Sequence, residues 1–278
     1  MKKLSSFMLV LLLAVSLCAC GESAVPQTTE PADTAKPVVY EKNDGLLSEE
    51  IHYNADGLRY MTVRYEYDGE GRVIKELTLG VNEAPESYTA YEYDADGRLI
   101  RESFFIAVDA DSFEPDGECV YQYDSDGLCT AKESTAGGYK SGCEYSYNAD
   151  KLLSEDRCSE DGELIYIQSY SYDENGNAVK LVRKSVMTGT ESVTETVFDE
   201  SGRPVKEVSA DGSYAYSYNE HGDEIRMDCF DTDGTLKYSR LTDYEYDEAG
   251  NIVKSTVSSG NDSFAGTVTE YVIIYAKG

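Results

Sequence analysis

Short runs in which tyrosine alternates with another residue recur along the chain, and each run ends in the same kind of polar segment. In Tyr65-Glu66-Tyr67 two aromatic residues flank a carboxylate, and Asp68-Gly69-Glu70-Gly71 follows directly. An alternation with a period of two is typical of a β-strand. Asp-x-x-Gly is typical of a turn, because the carboxylate accepts a backbone N–H two residues on and glycine adopts positive φ. The pattern therefore predicts a series of β-hairpins.

This unit repeats in tandem from about Val38, and the repetition matters more than any single residue. Nine aspartate or asparagine residues, 14 to 30 residues apart, anchor the turns: Asn54, Asp68, Asp94, Asp124, Asn148, Asp173, Asp199, Asn219 and Asp247. We predict an all-β fold, an elongated antiparallel meander of tandem hairpins with about 16–20 strands. Aliphatic residues three positions after the turn glycine, such as Ile74 and Ile100, give the other face apolar character too. The sheet is therefore expected to curl on itself, to stack in layers, or to leave one tyrosine-covered face exposed to water.

The turn also predicts which residues face each other. A type I turn with a glycine bulge places Asp68 opposite Arg72, Tyr67 opposite Val73 and Tyr65 opposite Lys75. The same register pairs tyrosine with a cation in four further hairpins, namely Tyr91–Arg101, Tyr170–Lys180, Tyr216–Arg226 and Tyr244–Lys254. It leaves two exceptions, Tyr121 opposite Ala131 and Tyr145 opposite Glu155. Each tyrosine–cation pair is expected to contribute about 0.2–1 kcal/mol.

The N-terminus predicts export and lipid attachment. Lys2 and Lys3 precede a short apolar stretch, which is typical of a secretory signal peptide. The stretch Leu17-Cys18-Ala19-Cys20 resembles the lipobox of bacterial lipoproteins, which implies cleavage before Cys20 and lipidation of that residue. An ordinary secretory signal with a chance cysteine is the alternative. We therefore expect a signal peptide at 1–19, a flexible tether at 20–37 and a folded domain at 38–278.

The repeat Tyr-x-Tyr-Asp-x-x-Gly-Arg, best seen from Tyr65 and from Tyr91, resembles that of the RHS/YD-repeat family. The resemblance covers roughly residues 38–275 and implies antiparallel β-sheets, which in large members form a hollow shell around a C-terminal toxin. This chain is short, has no Asp-Pro-x-Gly self-cleavage motif and has no toxin-sized extension after its last repeat. The toxin-delivery role is therefore not expected here.

Charge and composition exclude several classes of partner. The formal net charge is −29, so binding to nucleic acid is not expected. The sequence holds two histidines and no Cys-x-x-Cys spacing, which argues against a zinc site and against a histidine-based triad. No Gly-rich phosphate loop is present, and we expect no cofactor and no bound metal. The acidic turns at Asp94, Asp124 and Asp231 are interpreted as hairpin turns, with weak surface calcium binding as the alternative.

Five cysteines follow the lipobox, and three of them, Cys119, Cys129 and Cys143, are predicted to share the face of the tyrosines. A disulfide between Cys129 and Cys143 is one possibility, and small apolar thiols in a reducing environment are the other. The two histidines, His52 and His221, lie in or beside repeat turns, and they are interpreted as tolerated turn residues, with a catalytic base as the alternative.

The tyrosines are the main candidates for a binding surface. The second tyrosine of each unit is interpreted as a packing residue: Tyr67, Tyr93, Tyr123, Tyr147, Tyr172, Tyr218 and Tyr246. The first tyrosine has the better claim to a ligand: Tyr65, Tyr91, Tyr121, Tyr145, Tyr170, Tyr216 and Tyr244. Rows of aromatic rings can stack on sugars, although the absence of tryptophan weakens the glycan hypothesis.

The sequence thus predicts a lipid-anchored, extracytoplasmic protein of the bacterial cell envelope. Its expected role is a non-enzymatic binding or adhesion module for glycan or protein. The first alternative is a structural or shielding envelope protein with no specific ligand. A hydrolase with a carboxylate pair is the second alternative, although nothing in the sequence singles out one pair.

Lipidation can be tested by replacing its acceptor. Cys20→Ala should release the protein from the membrane fraction, because the thiol that bears the lipid is lost. Fractionation of expressing cells followed by immunoblotting measures this. Cys18→Ala is the matched control and should stay in the membrane fraction. Retention of the Cys20→Ala protein at the membrane would contradict the assignment.

Overall fold

The computed structural model describes residues 45–260 and 267–275, and for Gly45, for 268 and for 270–275 only the backbone. The expected signal peptide, tether and Cys20 lie outside the described residues. Within them the chain forms one antiparallel β-sheet of eighteen strands and a single short helix, the 3₁₀ turn Val81–Glu83. The predicted all-β meander is thereby confirmed. In the described part of the chain, no helix has the length and apolar character needed to cross a membrane.

The strands follow one another in chain order. They are β1 Gly45–Tyr53, β2 Arg59–Tyr67, β3 Val73–Leu79, β4 Pro85–Tyr93, β5 Leu99–Ala107, β6 Phe113–Tyr123, β7 Cys129–Ala136, β8 Tyr139–Tyr147, β9 Leu153–Glu160, β10 Glu163–Tyr172, β11 Ala178–Ser185, β12 Glu191–Phe198, β13 Pro204–Ser209, β14 Gly212–Tyr218, β15 Glu224–Phe230, β16 Leu236–Tyr246, β17 Ile252–Ser259 and β18 Thr267–Tyr275.

Each strand pairs with its predecessor and its successor, and the two ends of the meander also meet. β1 pairs with β2 through Glu50 opposite Val63, and with β18 through a register that runs from Gly45 opposite Tyr275 to Tyr53 opposite Val268. Every strand therefore has two hydrogen-bonded neighbours, and the strand order is circular.

The turns have the geometry that the Asp-x-x-Gly segments predict. Asp68 Oδ1 accepts the backbone N–H of Glu70 at 2.8 Å and that of Arg72 at 3.0 Å. The backbone N–H of Asp68 donates to the carbonyl of Arg72, and Gly71 has φ of +80°. The other repeat turns have the same bonds, although Lys151 stands where glycine is usual and still adopts φ of +62°. The predicted pairing of Asp68 with Arg72 is correct.

Beyond the turn the register differs from the prediction. Tyr67 faces Val73 as expected, but Ile74 is then unpaired, so that Lys75 faces Glu66 and Tyr65 faces Glu76. This β-bulge inserts one extra residue after the turn and moves every later side chain to the other face.

The five predicted tyrosine–cation pairs are therefore wrong. The cations face the residue between the tyrosines instead, in the pairs Glu66–Lys75, Glu92–Arg101, Ser171–Lys180, Ser217–Arg226 and Glu245–Lys254. The two expected exceptions are also shifted, because Tyr121 faces Lys132 and Tyr145 faces Asp156. Lys132 Nζ lies 5.4 Å from the centre of the Tyr121 ring, so a cross-strand tyrosine–cation contact occurs where none was predicted.

Within the Tyr-x-Tyr segments, side chains alternate between half-buried or buried and exposed, as the sequence predicts. Both tyrosines of each unit are half-buried or buried, and we call the side of the sheet that bears them the tyrosine face. The residues between them lie on the opposite face and are exposed: Glu66, Glu92, Gln122, Ser146, Ser171, Ser217 and Glu245.

Few apolar side chains are fully buried. Among the side chains that the structure describes, they are Leu79, Cys119, Tyr121, Cys129, Cys158 and Cys229. A cluster of Cys119, Tyr121 and Cys129 packs with Leu99, Phe104, Tyr123 and Tyr145 on strands β5 to β8. With so small a core, much of the cohesion has to come from contacts within the sheet.

The cysteines pair differently from the disulfide considered above. Cys143 is bonded to Cys158, which lies directly opposite it on β9. Cys129 lies opposite Tyr123, and it is Lys132, further along β7, that lies opposite Cys143, so Cys129 and Cys143 do not meet. Cys119, Cys129 and Cys229 are buried thiols.

The turn glycines give a test with a control inside the same loop. Gly71→Ala should lower the free energy of unfolding by about 1–2 kcal/mol, because an L-residue is strained at its φ of +80°. Gly69→Ala should be neutral or stabilising, because Gly69 has no positive φ and an added Cβ there meets no atom within 4 Å. Urea denaturation measures both, and equal effects would contradict this account of the turn.

Candidate functional site

The seven candidate tyrosines form a row along the tyrosine face, one on each even-numbered strand except β12 and β18. Six are half-buried, and Tyr121 is buried at 8% exposure. The structure therefore brings these residues onto one face, with their rings partly covered by their neighbours.

Most of these tyrosines donate a hydrogen bond to a carboxylate on the preceding strand. We call this arrangement the tyrosine–carboxylate ladder. Its pairs are Tyr65–Glu50 at 2.9 Å, Tyr91–Glu76, Tyr121–Glu102 at 3.1 Å, Tyr170–Asp156 at 2.6 Å and Tyr216–Glu207 at 3.0 Å. Tyr244 departs from the pattern and donates to the backbone carbonyl of Glu224.

Sequence reasoning missed these carboxylates. The β-bulge at the unpaired residue after the first cross-strand pair was not predicted, and without it these carboxylates fall on the other face. A signal for them exists. Glu76, Glu102 and Glu207 each lie five residues after a turn glycine, and Asp156 lies five after Lys151, which occupies the glycine position.

Burial and the adjacent carboxylates shift the proton affinities within the ladder. The pKa values of Tyr65, Tyr91, Tyr121, Tyr170 and Tyr216 are raised, first by burial and then largely by neighbouring charge and hydrogen bonds. These hydroxyls therefore remain protonated donors at neutral pH.

Two carboxyl groups of the ladder shift in opposite directions. Burial raises the pKa of Glu76, and the charges of Glu50 and Glu102 add to this effect, although the Tyr91 hydroxyl opposes it. The pKa of Glu50 is lowered, above all by His52, whose Nε2 lies 3.4 Å from Glu50 Oε2.

In five units the second tyrosine ties its unit to the one before it. Its hydroxyl donates to the carbonyl of the first residue of the preceding bulged strand, as in Tyr93 to Val73 at 2.8 Å and Tyr123 to Leu99 at 2.7 Å. Tyr67 donates instead to the carbonyl of Leu47, and Tyr246 to the carboxylate of Asp223. The same bond is made by Tyr147, Tyr172 and Tyr218. These contacts agree with the packing role that the sequence predicts for them.

The turn arginines reinforce this link between units. Arg72 binds Asp68 of its own turn, and its guanidinium lies 4.8 Å from the centre of the Tyr93 ring in the next unit. Arg98 and Arg203 lie in the same way over Tyr123 and Tyr218. The tyrosine and the arginine of the motif thus both contact a neighbouring hairpin, and the aspartate holds the arginine in position.

In the acidic turns the carboxylate oxygens accept hydrogen bonds from backbone N–H groups and side chains of the same turn. Asp94 binds the N–H groups of Asp96 and Arg98 and the Nε of Arg98, and these contacts lower its pKa. Asp231 and Asp233 bind Thr235. Among the described residues, no group of three or more His, Cys, Asp or Glu side chains is placed to hold a metal ion.

The histidines lie beside ring and carboxylate groups. His221 belongs to the turn at Asn219, and its ring stacks on Tyr246 with the ring centres 4.2 Å apart. Tyr246 donates to Asp223 at 2.6 Å, and burial with this contact raises its pKa to about 12. His52 lies near the end of β1, beside the turn at Asn54, and its Nδ1 is 3.0 Å from Thr269 Oγ1 of β18.

The ladder is interrupted at β11 and β12. Leu181 stands where five units have the carboxylate, a position that Lys132 and Met227 also occupy, and Thr196 stands where the other units have the first tyrosine. A depression of about 280 Å³ opens beside this gap, between the ends of β10, β11 and β12.

Comparison with known proteins gives no assignment. No family model matches the chain, and no curated protein matches it. Among solved structures, a porin-like protein from Bacteroides uniformis is 12% identical with a TM-score of 0.45, over 82% of this chain and 97% of that one. The TcdB2-TccC3-TEV structure is 12% identical with a TM-score of 0.30, over 82% of this chain and 16% of that one. A DUF1329 family protein from Desulfovibrio piger is also 12% identical, with a TM-score of 0.23 over 86% and 88% of the two chains. Likenesses this distant do not assign a function.

The raised pKa of Glu76 predicts how stability depends on pH. The pKa of Glu76 is higher in the folded than in the unfolded protein, so the folded state favours the neutral carboxyl. The stability that this neutral form contributes is present at low pH. It is lost as the pH rises through the folded-state pKa. Glu76→Gln should therefore raise the melting temperature at pH 7 and change it much less near pH 4. Glu92→Gln, exposed on the opposite face, is the control and should show no such pH-dependent gain. A loss of stability in Glu76→Gln at pH 7 would contradict the assignment.

Proposed function

We propose that this chain is a surface-anchored, non-enzymatic lipoprotein of the bacterial envelope that resembles the YD-repeat family and binds glycan or protein. The lipobox-like stretch ending at Cys20 and the acidic composition support an extracytoplasmic location. The tandem Tyr-x-Tyr-Asp-x-x-Gly units support the family resemblance. The module would present its sheet to a ligand outside the cell while the lipid holds the N-terminus at the membrane.

The observation on which this proposal rests is the regular row of aromatic rings beside carboxylates on the tyrosine face. In most units the first tyrosine keeps its ring half-exposed while its hydroxyl is oriented by a hydrogen bond. A ring whose orientation is fixed in advance loses little conformational entropy on stacking against a sugar or an apolar side chain. The carboxylates beside it can accept hydrogen bonds from ligand hydroxyl groups.

A structural or shielding role is the second candidate, and a specific observation favours it. The tyrosine hydroxyls already donate to carboxylates or backbone carbonyls, and Tyr121 is buried. Among the described strands, the circular order also gives each one two partners and leaves no unpaired edge to recruit another strand. In this reading the tyrosines serve only to hold the sheet together.

Binding screens with a matched pair of variants distinguish the two roles. The mature protein should give saturable signals on a glycan array or in a pull-down from host or bacterial surface extracts. Tyr216→Ala, which removes a half-buried ring of the row, should weaken binding by roughly 2–10-fold. Tyr139→Ala is the control, because Tyr139 is 75% exposed and lies outside the row. The absence of any saturable ligand would favour the shielding role, and circular dichroism would verify that both variants fold.

A further inference from the structure

The depression beside the gap in the tyrosine–carboxylate ladder is lined by charged, hydroxyl, aromatic and aliphatic residues. They are Ile165, Tyr166, Arg183, Ser185, Thr190, Glu191 and Ser192. Arg183 lies on the tyrosine face, opposite Gln168 on β10 and Ser192 on β12. Because Leu181 and Thr196 replace the carboxylate and the tyrosine nearby, neither group of the ladder extends over this part of the face.

Arg183 differs from the other arginines of the chain. The nine others each lie within ion-pair distance of a carboxylate, as Arg157 does with Glu155 at 3.2 Å. Among the described residues Arg183 has no such partner. Its guanidinium instead lies over the ring of Tyr166, 3.9 Å from the ring centre, and the side chain is exposed to solvent. An arginine without a carboxylate is unusual in a chain with a net charge of −29.

Hydrogen bonds within the turn between β11 and β12 fix the other side of the depression. Ser185 N–H donates to the carbonyl of Thr190 at 2.9 Å, and Thr188 N–H donates to Ser185 Oγ at 3.3 Å. The Glu191 carboxylate lies 3.5 Å from Lys184 Nζ, so its charge is balanced locally. The site thus combines Arg183, which has no carboxylate partner among the described residues, with hydroxyl groups on and beside a hydrogen-bonded turn.

We propose that this depression binds a singly charged, hydroxyl-rich carboxylate the size of one sugar ring, of the class of a uronic acid. The proposal rests on the binding role proposed above and narrows its ligand. A planar guanidinium pairs well with a carboxylate through two N–H donors, and stacking on Tyr166 fixes its plane. Ser185 and Ser192, on the same face as Arg183, offer donors and acceptors for sugar hydroxyls.

Size and charge narrow the ligand further. A volume of about 280 Å³ lies just below the usual range for small-molecule sites, so the ligand should be no larger than a single ring. A phosphate dianion would meet more repulsion from the acidic chain than a carboxylate monoanion would. A neutral sugar would leave the Arg183 guanidinium without a counter-charge.

Titration of the full mature protein with D-glucuronate, followed by NMR or calorimetry, tests the proposal. Saturable binding of glucuronate is expected, with weaker binding of glucose and of inorganic phosphate. Arg183→Gln should weaken glucuronate binding by at least about tenfold, because a charge-assisted hydrogen bond is lost. Arg183→Lys, which keeps the charge but not the planar pair of donors, should give an intermediate loss. Arg157→Gln, on the opposite face of β9, is the control and should bind as the parent does.

Several outcomes would overturn the proposal: no saturable glucuronate binding, equal binding of glucose, preference for phosphate, or parent-like binding by Arg183→Gln. The same variants on the glycan array and in the pull-down separate this inference from the broader function. If the parent binds a glycan or protein there and Arg183→Gln binds it equally, the pocket assignment fails and the binding role stands. If the parent binds nothing in any assay, both fail.

Discussion

The single extra residue that follows each repeat turn, the one begun by an anchoring aspartate or asparagine, determines which side chains meet on this sheet. In the first complete unit it is Ile74, which has no partner on the neighbouring strand. Because side chains alternate along a strand, one inserted residue exchanges the two faces for everything beyond it. The carboxylates therefore join the tyrosines, and the cations join the residues between the tyrosines. Without the bulge, Lys75 would lie beside Tyr65 and the ladder would not exist.

The bulge has a second consequence, which concerns the contacts that hold neighbouring hairpins together. A sheet with so few buried apolar side chains has to be held together along its own plane. The second tyrosine reaches back to a backbone carbonyl of the previous unit, and the turn arginine reaches forward over a ring of the next. The carbonyl that accepts the bond belongs to the residue just before the unpaired one, so the bulge also creates the acceptor that the next tyrosine uses. Each hairpin is thus stabilised by its neighbours more than by a common interior.

The sequence predicts the meander, the turn and the first cross-strand pair, because these depend on residues a few positions apart. Tyr67 opposite Val73 follows from the turn alone. The ladder was missed because a bulge is a response of the backbone to its surroundings and has no fixed residue, with Ile, Val, Thr and Ser all found in its place. The Cys143–Cys158 bond was missed for the same reason, since it requires the shifted register. The pairing of β1 with β18 joins His52 to Thr269 across most of the chain, and no local pattern indicates such a contact.

The circular strand order limits how a chain of this kind can change in length. In a ring of antiparallel strands neighbouring directions alternate, so the number of strands must be even, and eighteen satisfies this. The loss or gain of one strand would bring two parallel strands together where the ends meet. A duplication or deletion of a whole hairpin preserves both the alternation and the contacts between successive units. The tandem unit of the sequence is therefore also the smallest step by which the ring can be enlarged or reduced while every strand keeps two antiparallel partners.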